Sequence, residues 1–177
     1  MSNENLLLLA IAIPALTPFL LALFGKRPDM RDAISVAASI ATFAAVLPLL
    51  LAVIDGARPA MSIIEVMPGL VLGFEIEPLG MLFATVASGL WIPTSLYSIG
   101  YMRGAHEKKQ TRFAICFAIA IAAAVGIAFS GNLFTLFIFY EVLTISTYPL
   151  VAHKETPEAK TGARTYLAIL MSTAMGF

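Results

Sequence analysis

Residues 133–151 read LFTLFIFYEVLTISTYPLV, a long apolar run near the C-terminal part of the chain. Its 19 residues carry a single charge, Glu141, and they follow directly on the turn-forming triplet Ser130-Gly131-Asn132. A helix needs about 20 predominantly apolar residues to cross a hydrocarbon core that is ~30 Å thick. The stretch therefore predicts a transmembrane helix with one acid near its centre.

The chain contains further segments of the same kind. Four are long enough to cross, and they cover roughly Leu6–Phe24, Ala33–Ile54, Leu79–Tyr101 and Phe113–Ser130. A sixth begins near Thr165 and has 13 residues up to Phe177, which is too short for a crossing. The pattern predicts an all-α, polytopic transmembrane helix bundle, with five full spans and a truncated sixth in one domain over residues 1–177. We expect this chain to be the N-terminal part of a longer subunit, or one half of a split one.

The composition excludes several classes of function. Of the 177 residues, 59% are hydrophobic and 12% are charged, whereas soluble domains are typically ~25% charged. The net charge is zero, so nothing indicates a nucleic-acid partner. The single cysteine, Cys116, excludes a disulfide framework and a Cys/His metal site, and no flavin or cluster motif is present, so we expect no cofactor.

The longest connection runs from Asp55 to Pro78. It is mostly apolar and is interrupted by prolines, and we expect it to lie along the membrane surface.

The basic residues predict the topology. Three connections, those after the first, third and fifth spans, would share one side of the membrane. They hold 10 of the 11 basic residues: Lys26, Arg27, Arg31, Arg103, Lys108, Lys109, Arg112, Lys154, Lys160 and Arg164. Only Arg58 lies on the opposite side. Because short cytoplasmic loops are enriched in Lys and Arg, we predict that this side is cytoplasmic and the N-terminus outside, in a multi-pass protein of the inner (plasma) membrane.

Glu141 is the candidate functional residue. It is the ninth of the 19 residues in its span, and an acid at that depth is a functional hypothesis by default because it is costly in lipid. At 100° per residue, Thr144 and Tyr148 fall within 60° of Glu141 and form a supporting polar face. Desolvation favours the neutral acid and a nearby cation favours the ionised one, so Glu141 could take up and release protons. The alternative is a neutral acid that only holds neighbouring helices together.

Three motifs resemble a known family. Residues 97–102 (YSIGYM), 136–151 (LFIFYEVLTISTYPLV) and 158–167 (EAKTGARTYL) are similar to the antiporter-like proton-translocating subunits. That family comprises the large membrane subunits of multisubunit monovalent cation/proton antiporters, membrane-bound hydrogenases and respiratory complex I. The second motif is the most specific, because it places an acid among aromatic and hydroxyl residues inside a span. The resemblance is closest to the D-type subunit of the antiporters.

The resemblance implies a fold and a mechanism. Family members have about fourteen helices, including two inverted five-helix repeats, each with one broken helix. A glutamate on the fifth helix pairs with a lysine on the broken seventh, and a hydrated chain of Lys, His or Glu carries protons across the centre of the bilayer. Glu141 matches that glutamate by its motif. The expected partners are other membrane subunits, the lipid bilayer and protons, with Na⁺ as a candidate exchanged cation.

Three functions stay open from the sequence. The leading hypothesis is a subunit of a cation/proton antiporter in which Glu141 handles protons. The second is the homologous pumping subunit of a redox-driven complex, such as a hydrogenase or an NADH dehydrogenase. The third is a structural membrane subunit whose helices only pack.

Overall fold

The computed structural model describes residues 2–176 and consists of six helices and one short hairpin. The elements are α1 (Asn3–Leu23), α2 (Pro28–Ile54), β1 (Ala60–Met67), β2 (Leu70–Glu75), α3 (Pro78–Gly104), α4 (Gln110–Ala128), α5 (Leu133–Val151) and α6 (Pro157–Met175). Five of them, α1 to α5, are long and apolar enough to cross a membrane. The predicted helical membrane bundle is confirmed.

The helix ends have local causes. Proline stands at the start of α2, α3 and α6, where its missing N–H costs no hydrogen bond and its fixed φ suits the first turn. At α5, the side chain of Asn132 accepts a hydrogen bond from the backbone N–H of Thr135 at 2.8 Å. Helix α5 has the bounds that the apolar run predicted.

The sixth helix begins earlier than predicted. Its first residue is Pro157 instead of a residue near Thr165, and the hydroxyl of Thr156 caps it by accepting from the N–H of Ala159 at 3.2 Å. Residues 157–164 are helical but polar, so the apolar run marks only the later part of α6. The cap, and not the change in hydrophobicity, sets the start of this helix.

The bundle is built around α4. This helix packs against α1, α3 and α5, while α1 packs against α2, α2 against α3, and α6 against the outer side of α5. Close packing of α3 on α4 depends on Gly80, because a Cβ there would lie 1.9 Å from the carbonyl oxygen of Ala128. One apolar cluster joins α1, α2, α3 and α4 near the hairpin, and a smaller one surrounds Leu21, Trp91 and Ala118.

The connection between α2 and α3 is an antiparallel β-hairpin. Strands β1 and β2 pair from Ala60–Glu75 to Met67–Leu70, with Pro68-Gly69 at the turn. Gly69 has φ of +83°, a conformation that glycine adopts without the steric cost of a Cβ. Strand β2 is fastened to the bundle by the N–H of Glu75, which donates to the carbonyl of Phe129 at 2.9 Å. The connection that was expected along the membrane surface is thus a short sheet anchored to the bundle, and its placement at that surface stays a prediction.

The connections α1–α2, α3–α4 and α5–α6 meet at one end, which we call the basic end. The hydroxyl of Thr111, at the start of α4, donates to the carbonyl of Gly25, and Arg112 contacts both Glu155 and the carbonyl of His153. Eight of the ten basic residues that the sequence grouped on one side lie in or beside these connections, and Lys160 and Arg164 lie in the first two turns of α6. The hairpin lies at the opposite end of the bundle, beside the turn between α4 and α5.

Candidate functional site

The start of α5 is fixed by the hairpin. The N–H of Gly73 in β2 donates to the hydroxyl of Thr135 at 3.1 Å, and that hydroxyl donates in turn to the side chain of Asn132 at 2.9 Å. The side-chain amide of Asn132 donates back to the carbonyl of Val71 at 2.7 Å. These bonds set the position of the helix along its axis. Glu141 follows as the ninth of its 19 residues.

Helix α4 approaches α5 closely just before Glu141. A Cβ on Gly126 would lie 2.3 Å from the ring of Phe139, so the absence of a side chain at Gly126 lets the aromatic ring pack on the backbone of α4. The ring of Phe139 also contacts that of Phe74 in β2, with 5.6 Å between the centroids. This packing holds the middle of α5 against α4 while α6 covers another part of its surface.

The side chain of Glu141 is partly buried, and one of its carboxyl oxygens accepts no hydrogen bond from the described residues. Its Oε1 is buried and has no hydrogen-bond partner among the residues that the structure describes. Leaving a buried polar atom unpaired costs about 1–3 kcal/mol, and such exceptions in folded proteins call for an explanation. The oxygen is therefore available to a further donor, to water or to a cation.

The two supporting residues share the predicted face but are not bonded to Glu141. The side chain of Thr144 is buried, and its hydroxyl donates to the backbone carbonyl of Tyr140 at 3.0 Å. Tyr148 is half-buried and forms no side-chain hydrogen bond within residues 2–176. This face of α5 is therefore polar and lies close to Glu141. The hydroxyl proton of Thr144, however, is already donated to a backbone carbonyl of α5 and does not reach Glu141.

A second polar cluster was not predicted from the sequence. Arg31 and Asp32, at the start of α2, are 6% and 8% exposed. Asp32 accepts from Arg31 at 2.8 Å and from Arg103 of α3 at 2.7 Å, and Arg31 also donates to Gln110 of α4 at 2.9 Å. The cluster thus joins three helices at the basic end. The sequence signal for this cluster was a basic residue next to an acidic one at the edge of a span. Such a pair is equally typical of an exposed connection, so it did not indicate burial.

Comparisons with known proteins identify relatives of this chain. The chain matches no protein-family model. It is 26% identical to the D-type subunit of a probable K⁺/H⁺ antiporter of Rhizobium meliloti over 98% of this chain and 33% of that protein. It is 33% identical to the chloroplastic NAD(P)H-quinone oxidoreductase subunit 5 of Chara vulgaris over 45% of this chain and 12% of that protein. A third relative, the Na⁺/H⁺ antiporter subunit A1 of Staphylococcus aureus, is 28% identical over 62% of this chain and 14% of that protein.

A solved structure shares the fold. A chain of the membrane-bound sulfane sulfur reductase, an archaeal respiratory membrane complex, superposes with a TM-score of 0.82 at 20% identity, over 94% of this chain and 34% of that chain. The present chain therefore spans about a third or less of the length of the proteins it matches. The relatives are all antiporter-like subunits, which confirms the resemblance seen in the motifs. This chain is similar to antiporter-like membrane subunits, and its similarity to the D-type subunit of the K⁺/H⁺ antiporter extends over nearly all of its residues.

Proposed function

We propose that this chain acts in a membrane subunit of a cation/proton antiporter complex of the inner or plasma membrane, where Glu141 takes up and releases protons. The similarity to the D-type subunit of a K⁺/H⁺ antiporter over 98% of the chain supports the antiporter assignment. The observation that carries the role of Glu141 is its position at the centre of an apolar helix, with a buried carboxyl oxygen that has no hydrogen-bond partner among residues 2–176.

The chemistry follows from this placement. A proton carrier in a membrane needs an acid that can exist in both charge states, and so a group that stabilises the ionised form at one stage of the cycle. In the proposed subunit, a cation outside the described residues approaches the free oxygen of Glu141 and stabilises the carboxylate. When the cation withdraws, the acid takes up a proton. In this proposal, Thr144 and Tyr148 share a face of α5 with Glu141, and the acceptor lone pairs of the Thr144 hydroxyl and the hydroxyl of Tyr148 hold water beside the acid.

A redox-driven proton pump is the second candidate. The observation that favours it is the 33% identity to an NAD(P)H-quinone oxidoreductase subunit, which is higher than the identity to either antiporter subunit but covers a shorter segment. Both functions give Glu141 the same role. The two functions differ in what drives proton movement. In the antiporter the driving force is a cation gradient, whereas in the redox-driven pump it is electron transfer in another subunit.

The test is proton transport by the intact complex in vesicles, with three variants at position 141. Glu141→Gln keeps the size and one hydrogen-bonding oxygen but cannot titrate, and we expect it to lose about a hundredfold or more in rate, as removal of a proton-transferring group typically does. Glu141→Ala should be equally impaired. Glu141→Asp keeps the acid, one methylene shorter, and should retain partial activity.

The yield of assembled complex and a matched control variant separate a loss of transport from a loss of assembly. Glu65→Gln removes one acid from the exposed strand β1 and should leave the transport rate unchanged. If Glu141→Gln transports at the normal rate and yield, Glu141 only packs and the proposed role fails. Imposing a K⁺ or Na⁺ gradient in the absence of an electron donor then distinguishes the two functions, because only the antiporter moves protons under that condition.

A further inference from the structure

An open groove lies between α3 and α5 at the basic end. Its volume is about 310 Å³. Tyr101 and Met102 form the wall on α3, Phe113 of α4 lies among the lining residues, and Leu150 and Val151 form the wall on α5. Tyr101 and Val151 are 53% and 48% exposed, so the groove opens sideways, toward the surface that the apolar helices present to lipid. Its walls are apolar and aromatic, as the binding surface for a hydrocarbon chain would be.

Cations form the rim of this groove. A second cavity, of about 380 Å³, shares Glu107, His153 and Lys154 with the groove and continues to Lys108 and Lys109. Glu155 forms ion pairs with both Lys109 and Arg112, so its single negative charge is shared by two cations and one positive charge remains on this trio. Lys108 and Lys154 are exposed and form no ion pair among the described residues.

The acids near the rim do not neutralise the two free lysines. The carboxylate of Glu107 lies 3.8 Å from the imidazole of His153 without a hydrogen bond, and Glu155 is paired with Lys109 and Arg112, so these acids supply two negative charges against four basic side chains. The end of the apolar groove therefore keeps a net positive charge, and Lys108 and Lys154 are its two basic side chains without an ion pair among the described residues. They lie at the end of the helices where a bilayer presents its headgroups.

We propose that this groove is a binding site for one anionic phospholipid, with an acyl chain against Tyr101, Phe113 and Val151 and the phosphate on Lys108 and Lys154. A free phosphate would use the two lysines and leave the apolar walls uncovered. A neutral phospholipid would cover the walls but would gain less from the two free charges, because basic residues near a surface attract anionic lipid. The combination of an apolar groove and an uncompensated cationic rim fits the anionic lipid best. The inference depends only on the placement of the helices in a membrane and not on the proposed transport function.

Fluorescence quenching in vesicles tests this site on the full chain. A tryptophan replaces Tyr101 in the groove, and phosphatidylglycerol with brominated acyl chains is the quencher in a phosphatidylcholine bilayer. The native Trp91 is only 2% exposed, and its signal is subtracted with the unmodified chain. Leu23→Trp is the matched control, since Leu23 is 76% exposed at the end of α1, also at the basic end, and away from the groove.

Brominated phosphatidylglycerol should quench position 101 more than position 23, and brominated phosphatidylcholine should quench both equally. Replacing both Lys108 and Lys154 by Gln should weaken the preference for the anionic lipid about fivefold per lysine, equivalent to about 1 kcal/mol for each basic residue at the surface. Lys26→Gln with Arg27→Gln removes the same charge from the α1–α2 connection and should not reduce quenching at position 101.

Three outcomes overturn the proposal. Equal quenching at positions 101 and 23 would show that the groove holds no lipid in preference to the rest of the surface. If brominated phosphatidylcholine also quenches position 101 more than position 23, and by the same amount, only the acyl chain is recognised. If the stronger quenching of position 101 by brominated phosphatidylglycerol survives in the lysine double variant, the rim does not bind the headgroup. Val151→Trp on the opposite wall repeats the measurement if Tyr101→Trp does not fold.

Discussion

Glu155 connects two segments that are far apart in the sequence, and its ionisation controls that connection. It accepts hydrogen bonds from Lys109, at 2.6 Å, and from Arg112. The hydrogen bonds from Lys109 and then from Arg112 lower the pKa of Glu155 from 4.5 to about 2. A carboxyl group with a lowered pKa contributes its stabilisation above its ordinary pKa and loses it as the pH falls toward the lowered value.

The contact between the α3–α4 and α5–α6 connections should therefore be constant above about pH 4.5 and should loosen between that pH and about 2. Spin labels on cysteines at Lys108 and Lys154, in a Cys116→Ser background, report the distance between the connections by electron resonance. Glu155→Gln should broaden the distance distribution at neutral pH, whereas Glu158→Gln, an exposed position on the first turn of α6, should not. A distribution that stays narrow in Glu155→Gln would contradict the prediction.

Asp32 acts at the scale of helix packing, because it accepts from arginines of two helices. Asp32→Asn removes the charge opposite Arg31, whose side chain is only 8% exposed and cannot turn to water. Breaking a buried ion pair by removing one partner costs about 3–5 kcal/mol. Asp29→Asn is the matched control. Its carboxyl group also accepts from Arg103 but is 88% exposed, and pairs of that kind contribute about 0–1 kcal/mol. Unfolding in detergent should separate the two variants, and equal losses would mean that the buried cluster contributes no more than the surface pair.

Gly80 permits the close approach of α3 to α4. In Gly80→Ala the new methyl group would meet the backbone oxygen of Ala128, which cannot move without displacing the end of α4. We expect a loss of about 1–3 kcal/mol in unfolding free energy, as overpacking typically causes. Gly100→Ala lies on the same helix with nothing within 4 Å of the added carbon, and it should be neutral or slightly stabilising. If both variants unfold at the same temperature, the contact between α3 and α4 is not tight at Gly80.

The whole molecule has one end rich in basic residues and an opposite end whose only basic residue among the described ones is Arg58, and this asymmetry predicts its orientation. Single cysteines at Lys108, at the basic end, and at Ile63, in strand β1, are both exposed. In a Cys116→Ser background, an impermeant maleimide should label position 63 in intact cells and position 108 only after the membrane is opened, because basic connections remain in the cytoplasm. His106 and His153 should then face the cytoplasm. Labelling of position 108 in intact cells would show that the topology is the opposite of the predicted one.

The sequence alone determined the number of spanning helices, the bounds of α5, the central place of Glu141 and the grouping of the basic residues at one end. These features are local, because the bilayer thickness requires about 20 apolar residues in a row whatever else the chain does. The earlier start of α6 was also readable, since Thr156 followed by Pro157 is a helix-start signal, but a search for apolar residues alone does not register it.

Only the tertiary structure decided which polar residues are buried and which are joined. Asp32 and Arg103 are 71 residues apart, and Lys109 and Glu155 are 46 apart, so their contacts depend on how the helices pack and not on any local pattern. The same holds for the anchored hairpin, whose strand β2 is held by the backbone carbonyl of Phe129 and the hydroxyl of Thr135. A carboxylate at the edge of a span can lie in water or between two arginines, and the difference is made by the neighbouring helices, which the local sequence does not specify.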